Sequence, residues 1–247
     1  MVDYDARLHA VYTAGREMSA EALRTWMTAF ARHLPATRPL AWLDLGSGTG
    51  RMTPALATQF GGPAHGVEPS ERMRAQAPAA PPAVTYAVGS AEHIPLADTA
   101  VDAALVFYVW HHVVDHAAGA RELHRVVRPG GKLFVQANFA DRMPDVWWFR
   151  VVPEWREIDR AQFRLEADVR ADFIDAGWTL AAQEDVTWPR SASLADDVAR
   201  LRLRSVSFFE HVSDEDADEG FARIDAALPS LDDGPQYETS RLLVFER

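Results

Sequence analysis

The chain has 247 residues, of which 48% are hydrophobic and 25% are charged, a composition typical of a globular protein with one domain or at most two. Its 36 acidic and 25 basic residues give a formal net charge of −11, which argues against a nucleic-acid partner because such a surface needs clustered positive charge. Cysteine is absent, which excludes disulfides, thiolate catalysis and thiolate metal sites.

No signal for a membrane or for secretion is visible. No apolar run approaches the ~20 residues that a membrane helix needs. The N-terminus, MVDYDARLHA, lacks the basic start and apolar core of a secretory signal. We therefore expect a cytoplasmic protein with no membrane partner. We also expect no metal site, because the acidic run that begins at Asp214 is typical of a helix N-terminus.

The first predicted element is a helix within an N-terminal arm, residues 1–38. Apolar residues recur at helical spacing between Ser19 and Leu34. Ser19 is a suitable N-cap, and Pro35 ends the helix. We interpret the arm as a helical segment that packs on the sheet, closes over a ligand, or does both.

The stretch LAWLDLGSGTGRMT, residues 40–53, predicts a strand, a tight turn and the start of a helix. Gly46, Gly48 and Gly50 allow a sharp turn and the close approach of a ligand. A dinucleotide site requires G-x-G-x-x-G, whereas here Arg51 takes the place of its last glycine, which disfavours an NAD-dependent oxidoreductase. Asp44 would repel a pyrophosphate but can accept a hydrogen bond from an ammonium. The pattern favours a ligand with a nucleoside, an amino-acid end and no phosphate.

At this stretch the sequence resembles the class I S-adenosylmethionine-dependent methyltransferases, of the small-molecule, Methyltransf_11-like type. The run RELHRVVRPGGKL, residues 121–133, is similar to the same family. The resemblance implies an α/β, Rossmann-like fold: a seven-stranded, mostly parallel sheet with an antiparallel last strand and helices on both faces. It also implies S-adenosylmethionine as the cofactor.

The remaining elements follow from periodicity and from turn residues. Strands are predicted at 64–67, 83–88, 101–106, 132–137, 178–188 and 238–245. Helices are predicted at 51–60, from 70 onward, and at 117–127, 166–176, 194–209 and 214–228.

Several cofactor contacts are expected after the second and third strands. Glu68 ends a strand close to the ~20 positions past the last glycine at which a nucleoside-binding fold places the acid for the ribose hydroxyls. Met73, one turn into the next helix, is a candidate for contact with the adenine or a core residue. In the resembled family, the turn GSAEHIPL, residues 89–96, wraps the adenine edge, and the Y-x-x-x-R pattern of Tyr12 and Arg16 touches the methionine end.

The expected cofactor-binding set has members in the arm, the glycine turn and the ends of the next three strands. It consists of Tyr12, Arg16, Asp44, Gly46, Ser47, Gly48, Gly50, Glu68, Pro69, Met73, Ser90, Ala91, Glu92 and Phe107.

The methyl acceptor is expected at the end of the fourth strand, in FYVWHHVVD, residues 107–115. Histidine has an unperturbed pKa near neutral, so His111 and His112 are candidate general bases for a hydroxyl or amine acceptor. A carboxylate acceptor needs no base, and in the resembled family a histidine at the position of His112 also serves to orient the acceptor loop. Tyr108 is a candidate hydrogen-bond donor to the substrate.

We interpret residues 1–247 as a single methyltransferase domain with substrate-side insertions at 138–165 and 191–230. The first insertion is rich in tryptophan, which suggests an aromatic lid or, alternatively, core packing. The expected acceptor is an aromatic or apolar molecule of secondary metabolism, or a small carboxylic acid bound by Arg150 and Arg156. The alternative function is a protein that binds the cofactor without methylating, as a cyclising or pericyclic catalyst or as a binding partner.

Overall fold

A seven-stranded sheet organises the computed structural model, which describes Gly15, residues 18–78 and residues 81–247. The strand order is β3-β2-β1-β4-β5-β7-β6, and β7 runs antiparallel to both of its neighbours while the strands from β3 to β5 are parallel. This arrangement confirms the fold class that the sequence predicts. The strands are β1 Leu40–Leu45, β2 Gly61–Val67, β3 Val84–Ala87, β4 Val101–Phe107, β5 Val127–Gln136, β6 Thr179–Ser191 and β7 Gln236–Glu246.

Helices cover both faces of the sheet, and a group of them extends beyond one end of it. They are α1 Ala20–Ala31, α2 Thr53–Phe60, α3 Glu71–Arg74, α4 His116–Val126, α5 Trp147–Val151, α6 Pro153–Arg160, α7 Glu166–Asp175, α8 Leu194–Arg202 and α9 Asp214–Ala227. Within the described ranges, no helix is both long enough and apolar enough to cross a lipid bilayer.

One face of the sheet packs against α1 and α2. Trp26 and Phe30 of α1 are fully buried there, and Trp26 meets Phe107 at the end of β4 with a ring separation of 4.9 Å. The Ser19 side chain caps α1 by accepting a hydrogen bond from the amide of Ala22, as the sequence predicts. The helix ends at Ala31, before the predicted end at Pro35. Arg32, beyond that end, forms an ion pair with Glu184 of β6.

The other face packs against α4 and α7, and α4 also fixes the turn that follows β3. Arg125 of α4 donates hydrogen bonds to the carbonyl oxygens of Ile94 (3.0 Å) and Leu96 (2.8 Å). Its guanidinium is also paired with Glu122 and Asp98. The run that resembles the methyltransferase family therefore has a structural role, which is to hold the 89–96 turn against the sheet.

A third apolar cluster forms where the sequence predicts an irregular, aromatic segment. Trp147, Trp148, Phe149 and Trp155 lie on α5 and α6 and are buried against α8, α9 and Phe208. The predicted continuous helix 194–209 is wrong. The α8 helix ends at Arg202, Arg204 has a left-handed backbone (φ 50°), and a separate 3₁₀ helix, Ser207–His211, carries Phe208 into the cluster.

Candidate functional site

A cavity of about 720 Å³ opens at the carboxyl ends of β1, β2 and β4. Ligands of open α/β sheets bind at this edge, where the order of the strands reverses. Its lining consists of Asp44, Gly46, Ser47, Gly48, Thr49, Arg51, Met52, Glu68, Pro69, Met73, Phe107, Tyr108, Val109 and His112. We call it the cofactor cavity.

The glycine turn forms the floor of the cofactor cavity. Gly46, Gly48 and Gly50 all have positive φ angles, of 69°, 56° and 76°. A Cβ at Gly46 would lie 2.4 Å from the side chain of Val109, so a larger residue there is both strained and obstructed. The amides of Gly46 and Ser47 donate to the carbonyl oxygen of Val67, which ties the turn to the end of β2.

Glu68 lies directly after β2 and is nine-tenths buried. Its two carboxylate oxygens accept hydrogen bonds from the amides of Gly48 (3.0 Å) and Ser70 (2.9 Å). These contacts fix the orientation of the carboxylate at the wall of the cavity. A carboxylate can accept about four hydrogen bonds, so a group of this type at this place suits a diol.

Asp44, near the end of β1, presents a buried carboxyl group to the cavity. Only 2% of its surface is exposed, and it accepts a hydrogen bond of 2.6 Å from the hydroxyl of Thr53. Burial raises the pKa of Asp44 to about 6, although Thr53 and the positive charge of Arg51 oppose the increase. A cationic ligand group beside this carboxyl would lower the pKa again and be bound tightly in return.

Sequence reasoning missed five residues that line the cavity or support it. They are Thr49, Arg51, Met52, Thr53 and Val109. Thr53 could have been found, because a hydroxyl in the first turn of the helix after a glycine turn lies close to the end of the preceding strand. Arg51 lies over the ring of Phe107 at 5.6 Å.

The described lining of the cofactor cavity does not include Gly50 or three residues of the turn after β3, Ser90, Ala91 and Glu92. Their contacts with the cofactor stay predictions. The carboxylate of Glu92 accepts hydrogen bonds from the amides of Val114 and Asp115, both 3.1 Å long. Burial raises the pKa of Glu92, but these backbone donors outweigh burial and the net shift is downward.

Tyr12 and Arg16 lie outside the described residues. Their neighbour Gly15 is described and is buried against Ser205. A Cβ at Gly15 would lie 2.1 Å from the Ser205 hydroxyl oxygen, so Gly15 packs against the chain between α8 and Ser207–His211.

A second pocket, of about 630 Å³, adjoins the cofactor cavity, and Tyr108 lines both. We call it the acceptor pocket. Its lining consists of Tyr108, His111, Asn138, Pro144, Val146, Trp148, Phe149, Asp159, Phe163, Arg190, Ser205, Val206, Ser207, Phe208 and Glu238. It brings the predicted insertions, 138–165 and 191–230, to the end of β4.

The three candidate catalytic residues lie between the two pockets. His112 lines the cofactor cavity, His111 lines the acceptor pocket, and the centres of the two rings are 3.8 Å apart. Tyr108 has a positive φ of 59°, which is uncommon for a residue other than glycine, and its hydroxyl donates to Glu238 at 2.6 Å. The backbone strain at Tyr108 is thus offset in part by a hydrogen bond to β7.

Burial lowers the pKa of His112 from 6.5 to about 4. Between these values the unfolded chain binds more protons than the folded one, so stability falls as the pH drops from 6.5 toward 4.

The His112→Asn variant should lack this pH-dependent contribution to the free energy of unfolding, which is on the order of 3 kcal/mol at most. Urea unfolding at pH 7.5 and 5.0 measures it, with the exposed His93→Asn as the control. Equal pH effects in the wild type and in His112→Asn would contradict the assignment.

The described residues contain no group of three or more histidine, aspartate or glutamate side chains that could hold a metal ion. The acidic run at Asp214, Glu215 and Asp216 forms the first turn of α9, where Ser213 caps the helix. Its location agrees with the interpretation of that run as a helix N-terminus.

Comparison with known proteins relates residues 43–135 to the family described as "Methyltransferase domain". An uncharacterized methyltransferase of Mycobacterium tuberculosis is 41% identical over 112 residues, which are 45% of this chain and 44% of that protein. A ubiquinone/menaquinone biosynthesis C-methyltransferase of Rubrivivax gelatinosus is 34% identical over 134 residues, 54% of this chain and 51% of its own. The chain thus spans about half the length of the curated relatives it matches.

The fold has close counterparts among solved structures. A proposed methyltransferase from an antibiotic biosynthesis pathway of Anabaena variabilis superimposes with a TM-score of 0.69 and 20% sequence identity, over 93% of this chain and all of the other. At this identity the likeness concerns the fold. Residues 43–135, which contain most of the glycine turn and the strands β2 to β4, thus match a methyltransferase domain, and the sheet around them has the fold of solved methyltransferases.

Proposed function

We propose that this protein binds S-adenosylmethionine in the cofactor cavity and transfers its methyl group to a small molecule in the acceptor pocket. The observation that carries the proposal is the placement of two buried carboxyl groups, Asp44 and Glu68, in one cavity whose floor is the glycine turn. One carboxyl suits an ammonium and the other suits a ribose diol.

The residues of the cavity fit this cofactor in chemistry. The hydroxyl oxygen of Ser47 is buried there without a hydrogen-bond partner among the described residues, which suits a polar ligand. Pro69 and Met73 add apolar surface for a nucleobase.

The cofactor, when bound, supplies a methyl group on a sulfonium sulfur, which an acceptor atom takes by in-line displacement. The part of the protein in such a reaction is alignment and the exclusion of water. Tyr108 is suited to alignment, because it lines both pockets and Glu238 fixes its hydroxyl. His112 is neutral at pH 7 and adds no positive charge to the cavity in which we place the sulfonium.

His111 is the preferred candidate for a general base, because it lines the acceptor pocket while His112 faces the cofactor cavity. A hydroxyl or amine acceptor would give up its proton to this imidazole. The acceptor is an aromatic or apolar metabolite or a small carboxylic acid. The Rubrivivax relative, named for C-methylation in quinone biosynthesis, adds support for a small-molecule acceptor.

Two measurements test the proposed function. Calorimetry with S-adenosylhomocysteine should show one site per chain. Incubation with S-adenosylmethionine and a panel of phenols, amines and carboxylic acids should release S-adenosylhomocysteine in the presence of at least one of them. Binding of the cofactor without its consumption, together with a ring-forming reaction, would instead support the non-methylating alternative. Absence of binding would overturn both.

A further inference from the structure

Tyr108 is held at its backbone and at its side chain by two different strands. Its amide donates a hydrogen bond of 3.0 Å to the carbonyl oxygen of Gln136, the last residue of β5. Its hydroxyl donates to Glu238 of β7 at 2.6 Å. A positive φ is unfavourable for tyrosine, so the conformation of Tyr108 depends on contacts of this kind. The position of its hydroxyl, between the two pockets, is therefore set in part by β7.

The carboxylate of Glu238 is buried and is itself fixed by neighbouring donors. Only 5% of its side chain is exposed. The oxygen that accepts from Tyr108 also accepts from the hydroxyl of Ser240 at 3.0 Å. The other oxygen accepts from a terminal nitrogen of Arg190 at 2.8 Å. Hydrogen bonds between charged groups are strong and directional in a buried site, so the position of Arg190 bears on that of the Tyr108 hydroxyl through Glu238.

Arg190 continues this series of contacts into the two insertions. Its Nε donates to Asp197 of α8 at 3.0 Å, and the other oxygen of Asp197 accepts from the indole nitrogen of Trp147 of α5 at 2.9 Å. The Asp197 side chain is 0% exposed. The guanidinium of Arg190 also lies over the ring of Trp148 at 4.3 Å. We call the connected residues the buried polar chain: Trp147, Asp197, Arg190, Glu238 and Tyr108.

The buried polar chain ends where the two proposed ligands would meet. Tyr108 lines both the cofactor cavity and the acceptor pocket, whereas the described linings of these two sites do not include Asp197. An effect of Asp197 on a reaction between the two sites would reach Tyr108 through Arg190 and Glu238. In-line transfer is sensitive to alignment, and a misplacement of about 1 Å can cost about 100-fold in rate.

We propose that Glu238 and Asp197 are positioning residues for methyl transfer. Glu238 holds the hydroxyl of Tyr108, and Asp197 holds Glu238 through Arg190. The inference rests on the proposed function, since it takes Tyr108 as a residue that aligns the methyl donor with the acceptor. It gives α5 and α8 a part in the reaction beyond enclosing the acceptor.

Steady-state kinetics with the acceptor identified by the panel test the role of Glu238. Glu238→Gln keeps the shape of the side chain but replaces one oxygen with an amide nitrogen, so Tyr108 or Arg190 faces a donor. We expect kcat to fall roughly 10- to 100-fold and KM for S-adenosylmethionine to change less than about threefold, since alignment is lost and binding is not. Glu184→Gln, which alters the ion pair of β6 with Arg32, is the matched control and should keep the wild-type kcat. A wild-type kcat in Glu238→Gln would overturn the proposal.

A double-mutant cycle separates positioning from direct contact with the acceptor, because Glu238 also lines the acceptor pocket. Tyr108→Phe removes only the hydroxyl and should lower kcat as much as Glu238→Gln does. The double variant should be no slower than Tyr108→Phe alone. Effects that multiply would mean that Glu238 acts independently of Tyr108, against the proposal. Tyr108→Phe leaves the pair of Glu238 and Arg190 in place, so a wild-type kcat in this variant overturns the proposal even if Glu238→Gln does not fold.

Fluorine NMR tests the buried polar chain without turnover. The protein is labelled with 3-fluorotyrosine, and the Tyr108 resonance is identified by its loss in Tyr108→Phe. Asp197→Asn and Glu238→Gln should both shift this resonance, whereas Glu184→Gln should not. Trp147→Phe, which removes only the indole donor to Asp197, should shift it as well. An unchanged resonance in Asp197→Asn and in Trp147→Phe would contradict transmission along the chain.

The two proposals fail in distinguishable ways. If S-adenosylhomocysteine does not bind, the proposed function is wrong and the positioning role falls with it. If it binds and an acceptor is methylated, but Glu238→Gln and Tyr108→Phe keep the wild-type kcat, the proposed function stands and the positioning role is wrong.

Discussion

Glu68→Ala is expected to weaken the binding of S-adenosylhomocysteine by roughly 10- to 100-fold, the cost of losing charge-assisted hydrogen bonds to a ligand. The carboxylate of Glu68 is oriented by the amides of Gly48 and Ser70, so its removal takes away the proposed ribose contact and loosens the glycine turn as well. Both effects reduce affinity. Calorimetry at pH 7.5 gives the size of the change.

A matched control separates the contact from general damage to the fold. Glu71 lies three residues further on, in the first turn of α3, and is exposed. Glu71→Ala should bind S-adenosylhomocysteine as the wild type does. Thermal unfolding of both variants shows how much of the Glu68 effect comes from the turn. Wild-type affinity in a folded Glu68→Ala variant would contradict the assignment of Glu68 to the ribose hydroxyls.

Affinity for S-adenosylhomocysteine is expected to fall about tenfold for each pH unit below 6, because the proposed ammonium contact requires the ionised form of Asp44. Burial raises the pKa of this carboxyl to about 6 in the free protein, so it is ionised at pH 7.5 and mostly protonated at pH 5. Binding of the cationic end should release a proton in this range. Asp44→Asn should bind more than about tenfold more weakly at pH 7.5 and lose the pH dependence.

The ligand itself offers a control for this prediction. 5′-Methylthioadenosine keeps the nucleoside and the thioether but has no amino-acid end. Its affinity should change little between pH 7.5 and pH 5, and it should bind wild type and Asp44→Asn similarly. An equal loss of affinity for both ligands at low pH would mean that Asp44 acts through the fold of the glycine turn and not through contact with the ammonium.

Much of the fold was predictable because its determinants are local in sequence. A buried apolar run followed by a glycine turn at residues 40–53 specifies β1, the turn and α2. The antiparallel β7 also follows from the family resemblance, and the observed strand order confirms it. Asp44 and Glu68 could be placed in one cavity because the carboxyl ends of adjacent parallel strands lie at one edge of the sheet.

The acceptor side was less predictable because its contacts join distant parts of the chain. Arg190 is paired with Glu238, which is 48 positions away, and no local sequence pattern predicts that pair. The break between α8 and the 3₁₀ helix Ser207–His211 includes Arg204, which has a positive φ although arginine does not favour that conformation. Glu92, which the resemblance assigns to the adenine, also accepts hydrogen bonds from the amides of Val114 and Asp115, a contact that joins distant residues.

The most direct test of the account is a crystal structure of the protein with S-adenosylhomocysteine. We predict the ligand in the cofactor cavity, with its ammonium in hydrogen-bond contact with Asp44 and its ribose hydroxyls with Glu68, and its sulfur facing Tyr108 and the acceptor pocket. A ligand bound elsewhere, or bound in the cavity without contact to either carboxylate, would contradict the central claim.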